Sequence, residues 1–320
     1  MKRLLAILLL TGTASTTHAQ LLSEEPAGAS PRYGEPVVGL FQVGAEVSAP
    51  RGAVKNIKAM VAVPLECGEQ RVRIVEEDFS GAVDKVVYRD VPGGEARQML
   101  ISIPYLAPGA VAKAVVTFEV TTRKIIPPSD DDADRWLVPR KPPRDLRRFV
   151  ANSPYIEANH RKIRSLARSL LEEAGEDESD WQRVERLYDY VLDNISYIEG
   201  PDTSALTTLG DGSADCHGRS ALFVALCRSA RIPARIVWVN QHCFAEFYLE
   251  DADRQGRWFP AESAGSRAFG EMPLGRVVLQ KGDNFRIPER SKDRLRYATD
   301  FLYVPPGNGK PNVKFIREAP

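Results

Sequence analysis

Apolar and polar residues alternate with a period of two over much of the first half of the chain, which is the pattern of strands with one buried face. The clearest runs carry Ile57, Ala59, Val61 and Val63 in one segment, and Val116, Phe118 and Val120 in another. Pro-Gly pairs at 92–93 and 108–109 mark turns between such runs. Six or more short strands with no helical stretch predict a β-sandwich over residues 36–126.

The period changes after a proline-bearing stretch. Residues 127–155 contain Pro-Pro pairs and the acidic run Asp130-Asp131-Asp132, and we interpret them as a linker. Apolar residues three and four positions apart then predict two amphipathic helices. One stripe is Ile163, Leu166, Ala167, Leu170 and Leu171; the other is Trp181, Val184, Leu187, Tyr188, Val191, Leu192 and Ile195. Residues 200–214 are rich in Gly, Ser, Thr and Asp, which is typical of a loop.

Residues 216–230 are apolar on nearly every side, so the pattern predicts a helix buried between layers. This helix ends at Arg231-Ile232-Pro233, because proline cannot continue it. Strand-like segments follow at 235–239, 242–249 and 257–261. The chain therefore has an α+β pattern, with a predicted catalytic domain at 156–290 and a basic, proline-bearing tail at 291–320 to which we assign no role.

The N-terminal residues resemble an export signal. Lys2 and Arg3 precede an apolar run from Leu4 to Leu10, and small residues precede a cleavage site after residue 19. We expect a signal peptide at 1–19, a flexible leader at 20–35, and a secreted or periplasmic protein. The apolar run is too short to span a bilayer, so no integral membrane segment is expected after signal removal.

Charge and cysteine content narrow the function classes. The 320 residues carry 43 basic and 43 acidic side chains, so no global field favours nucleic acid or an anionic membrane. Of four cysteines, Cys216 and Cys227 would lie about 16 Å apart on one helix, beyond disulfide reach. One reactive thiol and three small buried hydrophobic residues fit best, although a Cys67–Cys243 disulfide stays open.

Three residues have the types and positions that thiolate chemistry needs. Cys216 begins the buried helix, where unpaired backbone N–H groups favour a thiolate. His242 begins a later strand and is the candidate base, and Glu262, just past the next strand, is the candidate acceptor for its second ring N–H. The alternative for each is structural: a buried cysteine, a hydrogen-bonded histidine and a solvated glutamate.

Neighbouring residues fit these roles less well. His217 follows Cys216 on the helix, so its ring should project from a different face. Glu246 shares a strand face with His242 but lies roughly 13 Å along the strand, which favours a structural role. A metal site built from Cys216, His217, His242 and Cys243 is disfavoured, since adjacent residues point apart. We expect no metal or other cofactor.

Residues 158–265 resemble the transglutaminase-like superfamily of papain-like cysteine enzymes. The resemblance rests on Asp215-Cys216, on Ile232-Pro233-Ala234-Arg235, on His242-Cys243-Phe244-Ala245-Glu246, and on Trp258 followed by an acid four residues later. It places the nucleophile at Cys216, the base at His242 and the third member at Glu262. The family usually has aspartate at the third position and tryptophan where Phe244 stands.

The resemblance implies a papain-like catalytic domain behind the β-sandwich, and acyl transfer from an amide through a thioester. The acceptor is an amine or water, and the resemblance leaves the choice between them open. The expected substrate is a protein or peptide of the cell envelope. The alternative is a non-catalytic binding module on the same fold. No acidic cluster has calcium-loop spacing, so calcium dependence is not carried over.

Overall fold

The computed structural model describes residues 32–320 apart from Ala174 and Glu176, so the expected signal peptide and most of the leader lie outside the described residues. The described helices are α1 (Asp130–Ala133), α2 (Arg161–Glu172), α3 (Asp180–Asn194), α4 (Ala205–Asp211) and α5 (Cys216–Ser229). The strands are β1 (Arg32–Ser48), β2 (Val54–Ala62), β3 (Gln70–Phe79), β4 (Lys85–Asp90), β5 (Glu95–Leu106), β6 (Val111–Ile126), β7 (Ser196–Tyr197), β8 (Ser213–Ala214), β9 (Ala234–Val239), β10 (His242–Glu250), β11 (Gly256–Glu262), β12 (Ala268–Phe269), β13 (Val278–Lys281), β14 (Phe301–Tyr303) and β15 (Asn312–Glu318). The larger strands precede and follow the group of helices, and this mixed content fits the α+β class.

Two large sheets organise the molecule. One has four strands in the order β15–β1–β6–β3; the other has nine, in the order β12–β11–β10–β9–β13–β5–β2–β14, with β4 also paired to β5. Every neighbouring pair in these two sheets is antiparallel. The second sheet thus runs without a break from the N-terminal strands into the C-terminal half of the chain.

The N-terminal strands bury the side chains that the alternation places on one face. Strands β1 and β6 of the first sheet and β2 and β5 of the second form one apolar cluster, in which Ile57, Val61, Val116 and Phe118 are buried. A separate β-sandwich at 36–126 is not confirmed, however, because β5 pairs with β13 and the two sheets gain β14 and β15 from the tail. An edge strand needs a partner, and here the C-terminal half supplies it.

Helix α5 is the centre of the second core. Every residue of α5 between its first and its last is buried, bounded by β9 and β10 on one side and by α2, α3 and α4 on the other. The ring of Phe223 in α5 lies 6.2 Å from the ring of Phe247 in β10 and 5.9 Å from that of Tyr188 in α3, measured between ring centroids. This packing holds the first residue of α5, Cys216, beside the first residue of β10.

Three segments differ from the sequence interpretation. Residues 200–214 contain α4, which begins after the capping side chain of Ser204 and ends at Gly212, whose φ of 67° suits glycine. The predicted linker is packed along the second sheet, with Trp136 buried 5.0 Å from Phe259. The tail at 291–320 supplies β14 and β15. The division into domains stays a prediction.

Among the residues that the structure describes, no helix combines the length and the apolar character needed to cross a bilayer.

Candidate active site

Cys216 is presented by the start of α5, and the local sequence explains its position. Asp215 caps the helix: its carboxylate accepts a hydrogen bond from the Gly218 backbone N–H at 2.8 Å. A Cβ at Gly218 would lie 2.2 Å from the hydroxyl of Thr203 and 2.5 Å from the Cβ of Ala214, so only glycine permits this close approach. The cap and the glycine together fix where the helix starts.

His242 and Glu262 are brought together by two antiparallel strands. His242 begins β10, and Glu262 ends β11, whose Ala261 pairs with Ala245 of β10. The Nε2 atom of His242 lies 2.7 Å from the Oε2 atom of Glu262. The other carboxylate oxygen accepts a hydrogen bond from the backbone N–H of Ala264 at 2.8 Å. Glu262 is therefore held in place while it orients the imidazole ring.

The ionisation of the pair favours thiolate and imidazolium. Hydrogen bonds from Cys243 and from His242 lower the pKa of Cys216 to about 4, against the opposing effect of burial. Burial lowers the pKa of His242, but the hydrogen bonds with Cys216 and Glu262 outweigh it and raise this pKa to about 9. Between these values the pair carries opposite charges. This order of pKa values suits a nucleophilic cysteine.

Cys243 is a site residue that the sequence interpretation missed. Its Sγ lies 3.9 Å from the Sγ of Cys216, and it packs in the same core as α5. The signal was present in the strand period, because Cys243, Ala245 and Phe247 share the face of β10 that covers the helix. All four cysteines are free. Cys67 packs with Phe244 on the opposite face of the sheet, so the open possibility of a Cys67–Cys243 disulfide is wrong.

The neighbouring residues behave as the sequence indicated. The His217 ring is buried and stacked on Trp238 with centroids 5.3 Å apart, and burial lowers its pKa to about 4. It is therefore neutral at physiological pH. Glu246 is buried and accepts hydrogen bonds at 2.8 Å from Arg235 and from Lys281. This carboxylate serves a structural ion-pair network.

One group of side chains has the composition of a cation site. Possible ligand atoms of Asp202, Asp215 and His217 lie within 4.8 Å of one another. Asp202 already forms an ion pair with Arg296, and Asp215 caps α5. Both carboxylates thus have partners within the protein.

Cys216 and His242 open into a cleft of about 530 Å³. Aromatic side chains line part of it, among them Tyr155, Trp238 and Tyr297. The C-terminal segment forms another part through Arg294, Arg296 and Arg317. No local pattern in the sequence indicated that this segment would border the thiol.

Residues 164–263 match the family model of the transglutaminase-like superfamily. This segment is similar to transglutaminase-like domains. The match confirms the resemblance inferred from the motifs, and its range includes Cys216, His242 and Glu262. No curated protein matches the chain significantly.

One solved structure shares the fold beyond the matched segment. A candidate cysteine protease from Cytophaga hutchinsonii aligns with a TM-score of 0.56 and 18% identity over 90% of this chain and 93% of its own. At this identity the likeness shows a common fold, which includes the N-terminal strands. A candidate protease from Parabacteroides distasonis aligns with a TM-score of 0.29 and 13% identity over 74% of this chain and 48% of its own. The periplasmic domain of TgpA from Pseudomonas aeruginosa bound to ethylmercury aligns with a TM-score of 0.32 and 13% identity over 69% of this chain and 89% of its own.

Proposed function

We propose that the chain is a cysteine-dependent enzyme that transfers or hydrolyses the acyl group of amide bonds in proteins or peptides. The observation that carries the proposal is the hydrogen-bonded series of Cys216, His242 and Glu262 at the mouth of the cleft. Glu262 is engaged with the imidazole, which favours an enzyme over a non-catalytic binding module. The family match and the shared fold support this class of chemistry.

The geometry suggests the following sequence of steps. The Cys216 thiolate attacks the substrate carbonyl carbon, and the C–O π electrons move to the oxygen. The backbone N–H groups of Cys216 and His217 precede the first intrahelical bond, from Arg219 to Asp215, and are free to stabilise this oxyanion. The imidazolium of His242 then donates its proton to the leaving amine, which leaves a thioester on Cys216.

The second half-reaction uses the same residues in reverse. Neutral His242 accepts a proton from water or from an incoming amine as that group attacks the thioester. The products are the acid or a new amide, and the Cys216 thiolate is restored with the imidazolium beside it. Glu262 keeps Nε2 protonated throughout, so that the other ring nitrogen faces the thiol. A glutamate thus takes the place of the usual aspartate.

The test is to incubate the mature protein with casein and a tagged amine. Incorporation of the tag indicates transamidation, cleavage of casein indicates proteolysis, and release of ammonia alone indicates deamidation. Each activity should disappear in Cys216→Ala. A protein whose Cys216 reacts with alkylating agents as expected, yet which shows no turnover on casein or on envelope peptides, would support the binding module instead.

We also infer that the protein acts outside the cytoplasm on a cell-envelope substrate. The support is the basic and apolar pattern of residues 1–19. Expression of the full chain in a bacterial host, fractionation, and N-terminal sequencing should find a mature form that begins near Gln20. Retention of the uncleaved chain in the cytoplasm would contradict this inference.

A further inference from the structure

Positive charge is concentrated in one part of an otherwise balanced chain. Residues 138–168 contain nine basic and only two acidic residues, against 43 of each sign in the whole sequence. The basic residues are Arg140, Lys141, Arg144, Arg147, Arg148, Arg161, Lys162, Arg164 and Arg168. Such a local excess produces a positive potential that balanced composition conceals.

The fold gathers part of this charge around one groove. The groove has a volume of about 480 Å³ and is lined by Arg140, Lys141, Arg147 and Arg164 together with Arg231, the second residue after the end of α5. We call this cavity, with its five basic residues, the basic groove. All five are exposed, and none of the described residues that line the groove is acidic.

The five side chains have no counter-charge within the described part of the protein. None of them takes part in an ion pair or a side-chain hydrogen bond there. Arg228, which also borders the groove, differs: it is buried, and its guanidinium is hydrogen-bonded to Asp283 and to the carbonyl oxygen of Ala234. Like charges held together without partners repel one another, so a bound anion would reduce the electrostatic repulsion among these side chains.

The backbone conformation at Arg231 is unusual, and this observation is independent of the charges around the groove. The φ of Arg231 is 64°, in the left-handed region where a side chain is strained and glycine is the usual residue at a helix end. This backbone conformation lets the Ile232 N–H close the end of α5 on the carbonyl oxygen of Cys227 at 2.9 Å, while the Arg231 side chain is exposed and makes no ion pair among the described residues. A cation is favourable near a helix C-terminus. That effect explains a charge at Arg231 but not the four other cations around it.

We propose that the basic groove binds a compact, multiply charged oxyanion of the phosphate class. Guanidinium groups bind phosphate oxygens through paired N–H donors, and five cations match a ligand with more than one negative charge. No aromatic residue lines the groove, so nucleobases find no stacking surface. Only Pro142 and Val150 are apolar among its lining residues, which is too little for insertion into a bilayer.

The site is separate from the catalytic cleft. The groove lies at the C-terminal end of α5 and Cys216 at its N-terminal end; the helix has 14 residues and is about 20 Å long. An anion in the groove therefore does not contact the thiol. Anion binding and thiol reactivity can be measured independently, and the groove does not depend on the proposed enzymatic function.

The test measures binding of pyrophosphate to the mature protein by calorimetry and by the shift in Tm, at constant ionic strength. Saturable binding with a raised Tm is expected, and binding of sulfate at the same ionic strength should be at least roughly tenfold weaker, since pyrophosphate engages more cations. Equal, non-saturating effects of both anions would indicate charge screening and overturn the proposal. Vesicles with phosphatidylglycerol distinguish the ligand's source: capture by vesicles without binding of free pyrophosphate would also overturn it.

Two glycine substitutions make a matched pair. Arg231→Gly removes a groove cation and relieves the left-handed strain; Arg254→Gly does the same in the remote β10–β11 turn, where φ is 61° and the side chain is exposed. Both variants should keep or raise their Tm, and Cys216 alkylation should be unchanged in both. Only Arg231→Gly should weaken pyrophosphate binding, by roughly tenfold. Equal affinities of the two variants would refute a site at this groove.

Discussion

Alkylation of Cys216 should be almost independent of pH between about 5 and 8. The reason is that the pKa of this thiol is about 4, so the thiolate fraction is already high at the lower limit. An ordinary thiol instead becomes tenfold more reactive with each pH unit over this range. The first experiment therefore varies the pH, and the second removes the side chains that lower the pKa of Cys216.

The alkylation rate of Cys216 relative to free cysteine follows from the thiolate fraction of each thiol and from the nucleophilicity of each thiolate. At pH 5 a thiol with a pKa of about 4 is about 90% thiolate, whereas one at the ordinary value of 9.0 is about 0.01% thiolate. This ratio is roughly 10⁴, but a less basic thiolate is a weaker nucleophile, here by roughly 100- to 300-fold. Cys216 should thus react roughly 30- to 100-fold faster than free cysteine at pH 5.

The other three cysteines serve as internal references. Burial raises the pKa of Cys67 and of Cys227, and the contact with Cys216 together with burial raises that of Cys243. Iodoacetamide labelling at pH 5, 6, 7 and 8, followed by peptide mapping with mass spectrometry, reports each cysteine separately. Label at pH 5 should appear on Cys216 alone.

Two variants identify the cause of the low pKa. An S–H group is a weak donor, so we expect the charged imidazolium of His242 to matter more than the thiol of Cys243. His242→Ala should make the Cys216 rate rise steeply between pH 5 and 8, and Cys243→Ala should change it less. A native protein whose Cys216 labelling rises tenfold per pH unit would refute the thiolate–imidazolium pair.

Three further outcomes are expected. Glu262→Gln should lower kcat by roughly 100-fold, less than Cys216→Ala, and move the alkaline limb of the kcat/KM profile below about pH 9, because the carboxylate raises the pKa of the histidine. Asp283→Ala should destabilise the fold by roughly 3–5 kcal/mol in urea unfolding, because it leaves the buried charge of Arg228 without its partner at 2.6 Å. Protease cleavage within 127–155 should leave the two fragments associated on gel filtration, because strand pairs join them.

Each of these has a control. Glu262→Asp should retain more activity than Glu262→Gln, and equal losses would argue against a role in orienting the ring. Asp253→Ala, at an exposed position, should leave the urea midpoint unchanged, so a similar loss in both aspartate variants would point to a general effect. Release of a stable, separate C-terminal fragment would support the independent domains that the sequence predicts.

Local pattern in the sequence is sufficient for the elements and for part of the site. Helix α5 begins at Cys216 because Asp215 can cap it and an apolar run follows, and both signals lie within a few residues. The strand period correctly indicated that Ile57, Ala59 and Val61 of β2 and Val116, Phe118 and Val120 of β6 are buried. The order of Cys216, His242 and Glu262 was likewise readable, because helix, strand and strand follow one another closely along the chain.

Only the tertiary structure decided how distant segments meet. Ser48 pairs with Asn312, and Ala96 pairs with Gln280, although no local pattern links these residues. A strand's alternation shows which face is buried but not which edge it will join, since its backbone donors and acceptors are the same for any partner. For that reason the sequence did not show that the tail lines the cleft beside the thiol. It also did not show that the cations come together in the basic groove.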